Sequence, residues 1–285
     1  MTVIESEDLD VEKAVSLISK DGPLAKFIPN FESRKEQQEM MHDIIEAYND
    51  NKVALIEAGT GTGKSIAYLI PAIFWSLQCK ERTLISTNTI TLQEQLLHKD
   101  IPLLAEALNV DIRAVLVKGM SNYVCLRKLH EARQEMSLFP DEEQEELLEI
   151  EKWAEQTQDG SKADLSFKPK PQTWEKACAE SDTCTREKCS YYKKCHFFKA
   201  RNRARDANLL ISNHSLLFAD LSYRKGSEKG TGLLPDYDKV ILDEAHNIED
   251  IATDHFANKA SGFMVMRTLS RLHTENKSRV YGKLP

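Results

Sequence analysis

Nine consecutive residues, Glu57-Ala58-Gly59-Thr60-Gly61-Thr62-Gly63-Lys64-Ser65, carry the first legible chemistry in this chain. Glycines at 59, 61 and 63 let backbone N–H groups turn inward around an anion, because no Cβ stands in the way. Lys64 supplies a point charge suited to β and γ phosphates, Ser65 a hydroxyl suited to Mg2+, and the helix expected to start there adds the positive end of its dipole. The strict form of the pattern has glycine at 58, where this chain has Ala58, a small departure. Much later, Val240-Ile241-Leu242-Asp243-Glu244-Ala245-His246 reads as an apolar strand ending in two carboxylates. Asp243 is placed to hold Mg2+ through water and Glu244 to orient or deprotonate an attacking water, so Lys64, Asp243 and Glu244 form the expected catalytic set. His246 has two readings, a coupling residue or a polar strand end.

Six cysteines are present, and four of them fall between Cys178 and Cys195. In a reducing compartment such crowding favours metal binding over disulfides. The intervals Cys184-x4-Cys189-x5-Cys195 are wider than the paired knuckles of structural zinc, and spacing alone leaves iron–sulfur and zinc both open. Cys178 competes as a ligand, whereas Cys79 reads as a buried or idle thiol. From Arg186 to Arg205 there are eight Lys or Arg against one acid, Glu187. Either a solvated helix face or a local nucleic-acid surface accounts for that run.

Elements able to position these groups follow from periodicity. The run VALIEA, 53–58, predicts a short buried parallel strand before the loop, and Lys64 to about Leu77 a helix after it. RTLISTN, 82–88, then predicts a strand and residues 91–108 a helix. AVLVKG, 114–119, NLLISN, 208–213, and KVILDEA, 239–245, predict further strands. Alternating strands and helices imply a doubly wound parallel sheet. Residues 11–18 and 33–50 predict helices, with a turn at Asp21-Gly22-Pro23. Between 119 and 206 the composition shifts to a charged helical stretch around PDEEQEELLEIEKWAEQ, a Pro/Lys segment and the cysteines, which marks an insertion. The acidic stretch reads as a solvated helix face.

With 285 residues, 41% hydrophobic and 29% charged, the chain has ample material for a folded core. No apolar run reaches the ~18 residues of a membrane span and the start lacks a secretory leader, so the expectation is a cytoplasmic protein with no membrane contact. A net charge of −7 argues against coating nucleic acid by bulk attraction and leaves that role to a local basic surface.

AGTGTGKS together with DEAH resembles the superfamily 2 helicases, and further segments resemble the iron–sulfur helicases of the DinG and XPD kind. Arg34 and Gln37, in Phe31-Glu32-Ser33-Arg34-Lys35-Glu36-Gln37, resemble the family's adenine-reading R-x-x-Q; a polar helix surface is the alternative. Ser86 to Leu96 resembles the family's DNA-backbone segment, and Asn213-His214-Ser215-Leu216-Leu217 the segment before the second apolar strand. The resemblance covers roughly residues 24–260. It implies an α/β fold, a RecA-like P-loop parallel sheet lobe interrupted by a mainly helical iron–sulfur cluster insertion. The implied cofactors are ATP, Mg2+ and a 4Fe-4S cluster. The ATP site takes in Arg34, Gln37, the loop Ala58, Gly59, Thr60, Gly61, Thr62, Gly63, Lys64 and Ser65, and Asp243. The cluster ligands are Cys125, Cys184, Cys189 and Cys195.

The implied activity is ATP hydrolysis coupled to 5′–3′ unwinding of DNA in replication or repair, on single-stranded or forked DNA. Tyr191, Tyr192, Phe197 and Phe198 are expected either to stack on bases or to pack in a core. The expected domains are an N-terminal lead-in at 1–23, the first lobe at 24–118 and 207–260, the cluster insertion at 119–206, and the start of an arch-like insertion at 261–285. The family's second lobe, expected to supply an arginine to the γ phosphate, has no counterpart in these residues, which leaves a truncated product, one half of a split helicase completed in trans, or a fragment, and the chain alone is expected to turn over slowly. The alternative is a non-catalytic iron–sulfur module that binds nucleotide and DNA.

Overall fold

The computed structural model describes residues 8–28, 31–59, 61–226 and 232–257, with short stretches at 262, 265–266, 269, 274–276 and 279–281. Two compact units divide the chain after His246. The second contains a helix, Ile248–Phe256, and a small antiparallel pair, Thr274–Asn276 with Arg279–Tyr281.

At the centre of the first unit is a four-stranded parallel sheet of β1 (Thr83–Thr87), β2 (Ala114–Leu116), β3 (Leu209–Asn213) and β4 (Lys239–Leu242), in the order β2-β3-β1-β4. The register sets Thr83 beside both Leu209 and Lys239. Parallel strands need crossovers that cover both faces, which explains why β1 and the first four residues of β3 are buried throughout. Ile85, Leu209 and Ile211 point into the larger core with α3 (Lys35–Asn49), α4 (Lys64–Gln78) and α6 (Ile101–Leu108). On the opposite face Leu84 and Leu210 join Val117, Ala204 of α10 (His196–Arg205), and Leu216 and Leu217 of α11 (His214–Gly226).

The expected helix at 11–18 forms as the short α1 (Val11–Ser16), followed by α2 (Leu24–Phe27), and the expected helices at 33–50 and 64–77 form at 35–49 and 64–78. Met41, Ile44, Ile45 and Tyr48 of α3 recur on one face and bury it with Leu69, Ile70 and Ile73 of α4. The helix expected over 91–108 starts as α5 (Ile90–Gln95), widens into a π turn at Leu96–Asp100 and resumes as α6. One expectation is corrected: residues 53–58 lie outside any strand, and Val53 and Leu55 are almost fully exposed. An apolar run signals a tendency to be buried but supplies no hydrogen-bonding neighbour, and a strand needs one.

From Val117, whose N–H still bonds Ile211 O at 2.8 Å, the chain leaves the sheet. It folds as α7 (Leu126–Gln134), α8 (Asp141–Gln156) and α9 (Pro171–Ala177), and returns through α10 to β3. Leu129, Leu147, Ile150, Trp174 and Cys178 share a separate core there. The acidic helix α8 is therefore solvated on one side only. Asp141, Glu142 and Glu143 sit in its first turn, where the dipole favours acids, while Leu147, Ile150 and Ala154 are buried. Lys118 fastens the segment to the sheet, its Nζ lying 3.0 Å from Ser161 Oγ and 3.6 Å from Glu94. No helix among the described residues is long and apolar enough to cross a membrane.

Candidate nucleotide site and cysteine cavity

The phosphate loop is held from behind by α3. Arg34 donates to the carbonyl of Gly61, and the buried Gln37 donates from Nε2 to Gly63 O at 2.9 Å. Gln37, expected to read adenine, gives one amide N–H to the loop itself. Gly61 and Gly63 both have φ of +81°, a region that side chains rarely enter, and a Cβ at 63 would overlap Gln37 Nε2. Gly63 sits at the N-cap of α4, so the loop turns directly into the helix carrying Lys64 and Ser65. Lys64 Nζ donates to Ala58 O at 3.1 Å, and Thr62 Oγ1 to Gly59 O at 2.9 Å. A phosphate would displace the first contact with a stronger, charge-assisted one. Thr60 lies outside the described residues.

Topology brings Asp243 to the same place. β4 runs parallel to β1 and ends beside its C-terminal end, where Asp243 N–H donates to Ser86 O at 2.8 Å. The Asp243 carboxylate accepts from Tyr68 OH on Oδ2 at 3.1 Å and from the N–H of Glu244 on Oδ1 at 3.0 Å. Burial, then the charge of Asp243, pushes the Tyr68 phenol well above its ordinary value, so it remains protonated and able to donate. Behind the strand, His214 Nε2 lies 3.0 Å from Asp243 O, and His214 Nδ1 lies 2.7 Å from Ser86 Oγ. Burial holds His214 below the ordinary imidazole value, favouring the neutral ring, which can donate to the carbonyl and accept from the serine. Glu244 has φ of +57°, a strained position for a residue with a side chain, and its carboxylate lies 3.5 Å from the exposed His246 ring.

Cys125, Cys184, Cys189 and Cys195 line one cavity with Arg127, Tyr191, Tyr192 and Phe198. Cys125 is tied down by its own N–H, which donates to Ala177 O at 2.7 Å, and it stands at the residue just before α7. Cys195 caps α10. Burial pushes its thiol up, against the lowering pull of the Phe198 and Phe197 backbone N–H groups. Cys178 takes no part in this cavity: it is buried in the insertion core, with its Sγ 3.8 Å from Glu175 O. Among the described residues no three cysteine sulfurs lie within 4.8 Å of one another; the exposed His42, Asp43 and Glu46 do approach that closely.

The DEAD/DEAH box helicase family matches residues 34–141, and the DEAD_2 family residues 121–261, so the two together take in the loop, the cysteines and the DEAH strand. The ATP-dependent DNA helicase YoaA of Escherichia coli (strain K12) is 37% identical over 243 residues, covering 85% of this chain and 37% of that protein. The chain is homologous to the DinG and YoaA helicases. The protein named 3′-5′ exonuclease DinG in Bacillus subtilis (strain 168) is 31% identical, over 98% of this chain and 29% of its own length. The ATP-dependent DNA helicase DinG of Escherichia coli is 29% identical over 81% of this chain. The chain thus spans about a third of the length of the curated relatives it matches.

Against this DinG/YoaA homology, the basic stretch divides in two. Lys193, Lys194 and Lys199 are exposed, whereas Arg201 packs 5.0 Å over the Phe197 ring and donates to Lys118 O, and Arg203 pairs with Asp159 at 3.0 Å. The four aromatics are half-buried: Phe197 meets Tyr123 and Phe198, and Tyr192 meets Phe198 at 4.7 Å. They wall the cavity and its flank more than they face solvent. Tyr68 escaped the sequence reading altogether. Its signal was a polar-tipped aromatic four residues after Lys64, on the same helix face, inside an otherwise apolar run.

Proposed function

We propose that this chain is the ATP-binding portion of a DNA helicase of the DinG kind and that its insertion holds a 4Fe-4S cluster. The observation that carries the nucleotide reading is the meeting of the phosphate loop and the DEAH strand through Tyr68. A residue one turn beyond Lys64 touches the Asp243 carboxylate 175 positions away in sequence. In this reading Lys64 binds the β and γ phosphates, Ser65 and Asp243 hold Mg2+, and Glu244 orients water toward the γ phosphate. Arg34 and Gln37 keep the loop open by bonding its carbonyls, leaving its N–H groups for the anion.

Four thiols around one cavity, at intervals wider than the paired knuckles of structural zinc, are what support the cluster reading. Cys125, Cys184, Cys189 and Cys195 would hold the cluster, and its chemistry there is that of a covalent staple between α7, the intervening turns and α10. Exposed Lys193, Lys194 and Lys199 would then lie at a fixed position beside it for the phosphates of single-stranded DNA.

The deciding test pairs a titration with a metal analysis. Binding of a fluorescent ATP analogue is expected to weaken at least about tenfold in Lys64→Ala, as one charge-assisted hydrogen bond disappears. Chain purified without oxygen is expected to hold about four irons with matching sulfide. Binding indifferent to Lys64 would remove the nucleotide reading, and a colourless zinc protein would remove the cluster.

A further inference from the structure

One buried group stands outside the chemistry proposed for the nucleotide. Tyr68 is 3% exposed, yet its hydroxyl is not simply stowed away. It donates to Asp243 Oδ2 at 3.1 Å, from the turn of α4 that follows Lys64 and Ser65. One phenolic oxygen thus ties the helix that begins at the phosphate loop to the strand's carboxylate, the group read as a magnesium ligand. The Asp243 carboxylate has about four lone-pair positions. Tyr68 and the Glu244 N–H take one on each oxygen, which fixes the rotation of the group and leaves one position on each oxygen for water around a metal ion.

We infer that Tyr68 is a positioning residue for the divalent cation, orienting the Asp243 carboxylate before nucleotide arrives. The inference rests on the nucleotide reading above and adds the way the metal half of the site is set. Tyr68 itself contacts neither phosphate nor cation; it acts through Asp243. Its ring is itself part of the larger core, so the hydroxyl has little freedom to turn elsewhere.

Tyr68→Phe keeps the ring and deletes only the oxygen. The measurement is the affinity of the whole 285-residue chain for a fluorescent ATP analogue, taken in excess Mg2+ and again in EDTA, for the wild type, Tyr68→Phe, Asp243→Asn and the double variant. Expected is a loss of about tenfold in Mg2+, the scale of one hydrogen bond to a charged group, with affinity in EDTA unchanged. In the Asp243→Asn background Tyr68→Phe should add nothing, because the partner through which it acts is already altered. Equal losses with and without Mg2+, no loss at all, or full additivity with Asp243→Asn would overturn the inference while leaving Lys64-dependent binding intact. Wild-type chain that binds no nucleotide in a Lys64-dependent way would instead overturn the underlying reading and this one with it.

Discussion

At the residue scale the phosphate loop and DEAH were legible because their residue types are dictated by the anion and the metal. Gly63 could be read as backbone freedom, but its second constraint could not, since Gln37 is 26 positions away in sequence and only the fold sets it against the α-carbon. Gly63→Ala should therefore both strain a left-handed position, at about 1–2 kcal/mol, and displace Gln37; denaturant unfolding would show a lower midpoint, and nucleotide titration a weaker affinity. Cys178 shows the opposite limit. Its spacing left it a rival ligand, and the structure puts it in a core instead. Cys184→Ala is expected to abolish metal content, whereas Cys178→Ala should retain it at some cost in stability; iron analysis of the two variants side by side checks this.

At the element scale, β1, β3, α3 and α4 were readable to within a residue or two, because burial on both sheet faces or on one helix face leaves a clear pattern, whereas β4, expected over 239–245, ends at Leu242. Residues 53–58 were misread for a reason periodicity cannot repair, the need for a neighbouring strand. The basic run around α10 was misread in part, because charge alone cannot separate a guanidinium facing water from one laid over a ring. Lys193, Lys194 and Lys199 changed together to Ala should weaken single-stranded DNA binding and flatten its salt dependence, by about 0.7 in slope for each phosphate left without its lysine. Arg201→Ala should instead destabilise the fold, by about 1–3 kcal/mol, because Lys118 O and the Phe197 ring would no longer have the guanidinium against them. Filter binding across a salt series and thermal unfolding distinguish the two outcomes.

At the scale of the whole molecule, an α/β lobe with an inserted segment was visible in the distance between Lys64 and Asp243, but the strand order was not, since pairing partners leave no local mark. In this structure the amides of residues 53–59 find no backbone carbonyl among the described residues. Hydrogen exchange at the loop amides from 57 onward should be fast in free protein and slow with Mg2+ and nucleotide, as the loop N–H groups close on phosphate; equal rates in both states would count against the loop as the anion site. The central position of β1 also sets a timetable for synthesis. Thr83 pairs with Leu209, 126 positions later, and with Lys239 later still. A ribosome adding about 5–20 residues per second delivers the first partner roughly 6–25 s after β1. Throughout that interval a strand destined to be buried along its whole length has no sheet to join, while the segment that follows it can collapse around Leu147, Ile150 and Trp174 at once. The nascent protein is thus most exposed to aggregation and to chaperone capture before α10 emerges, and substitutions that slow collapse of the 119–206 segment should lower soluble yield even where they leave the finished fold unchanged.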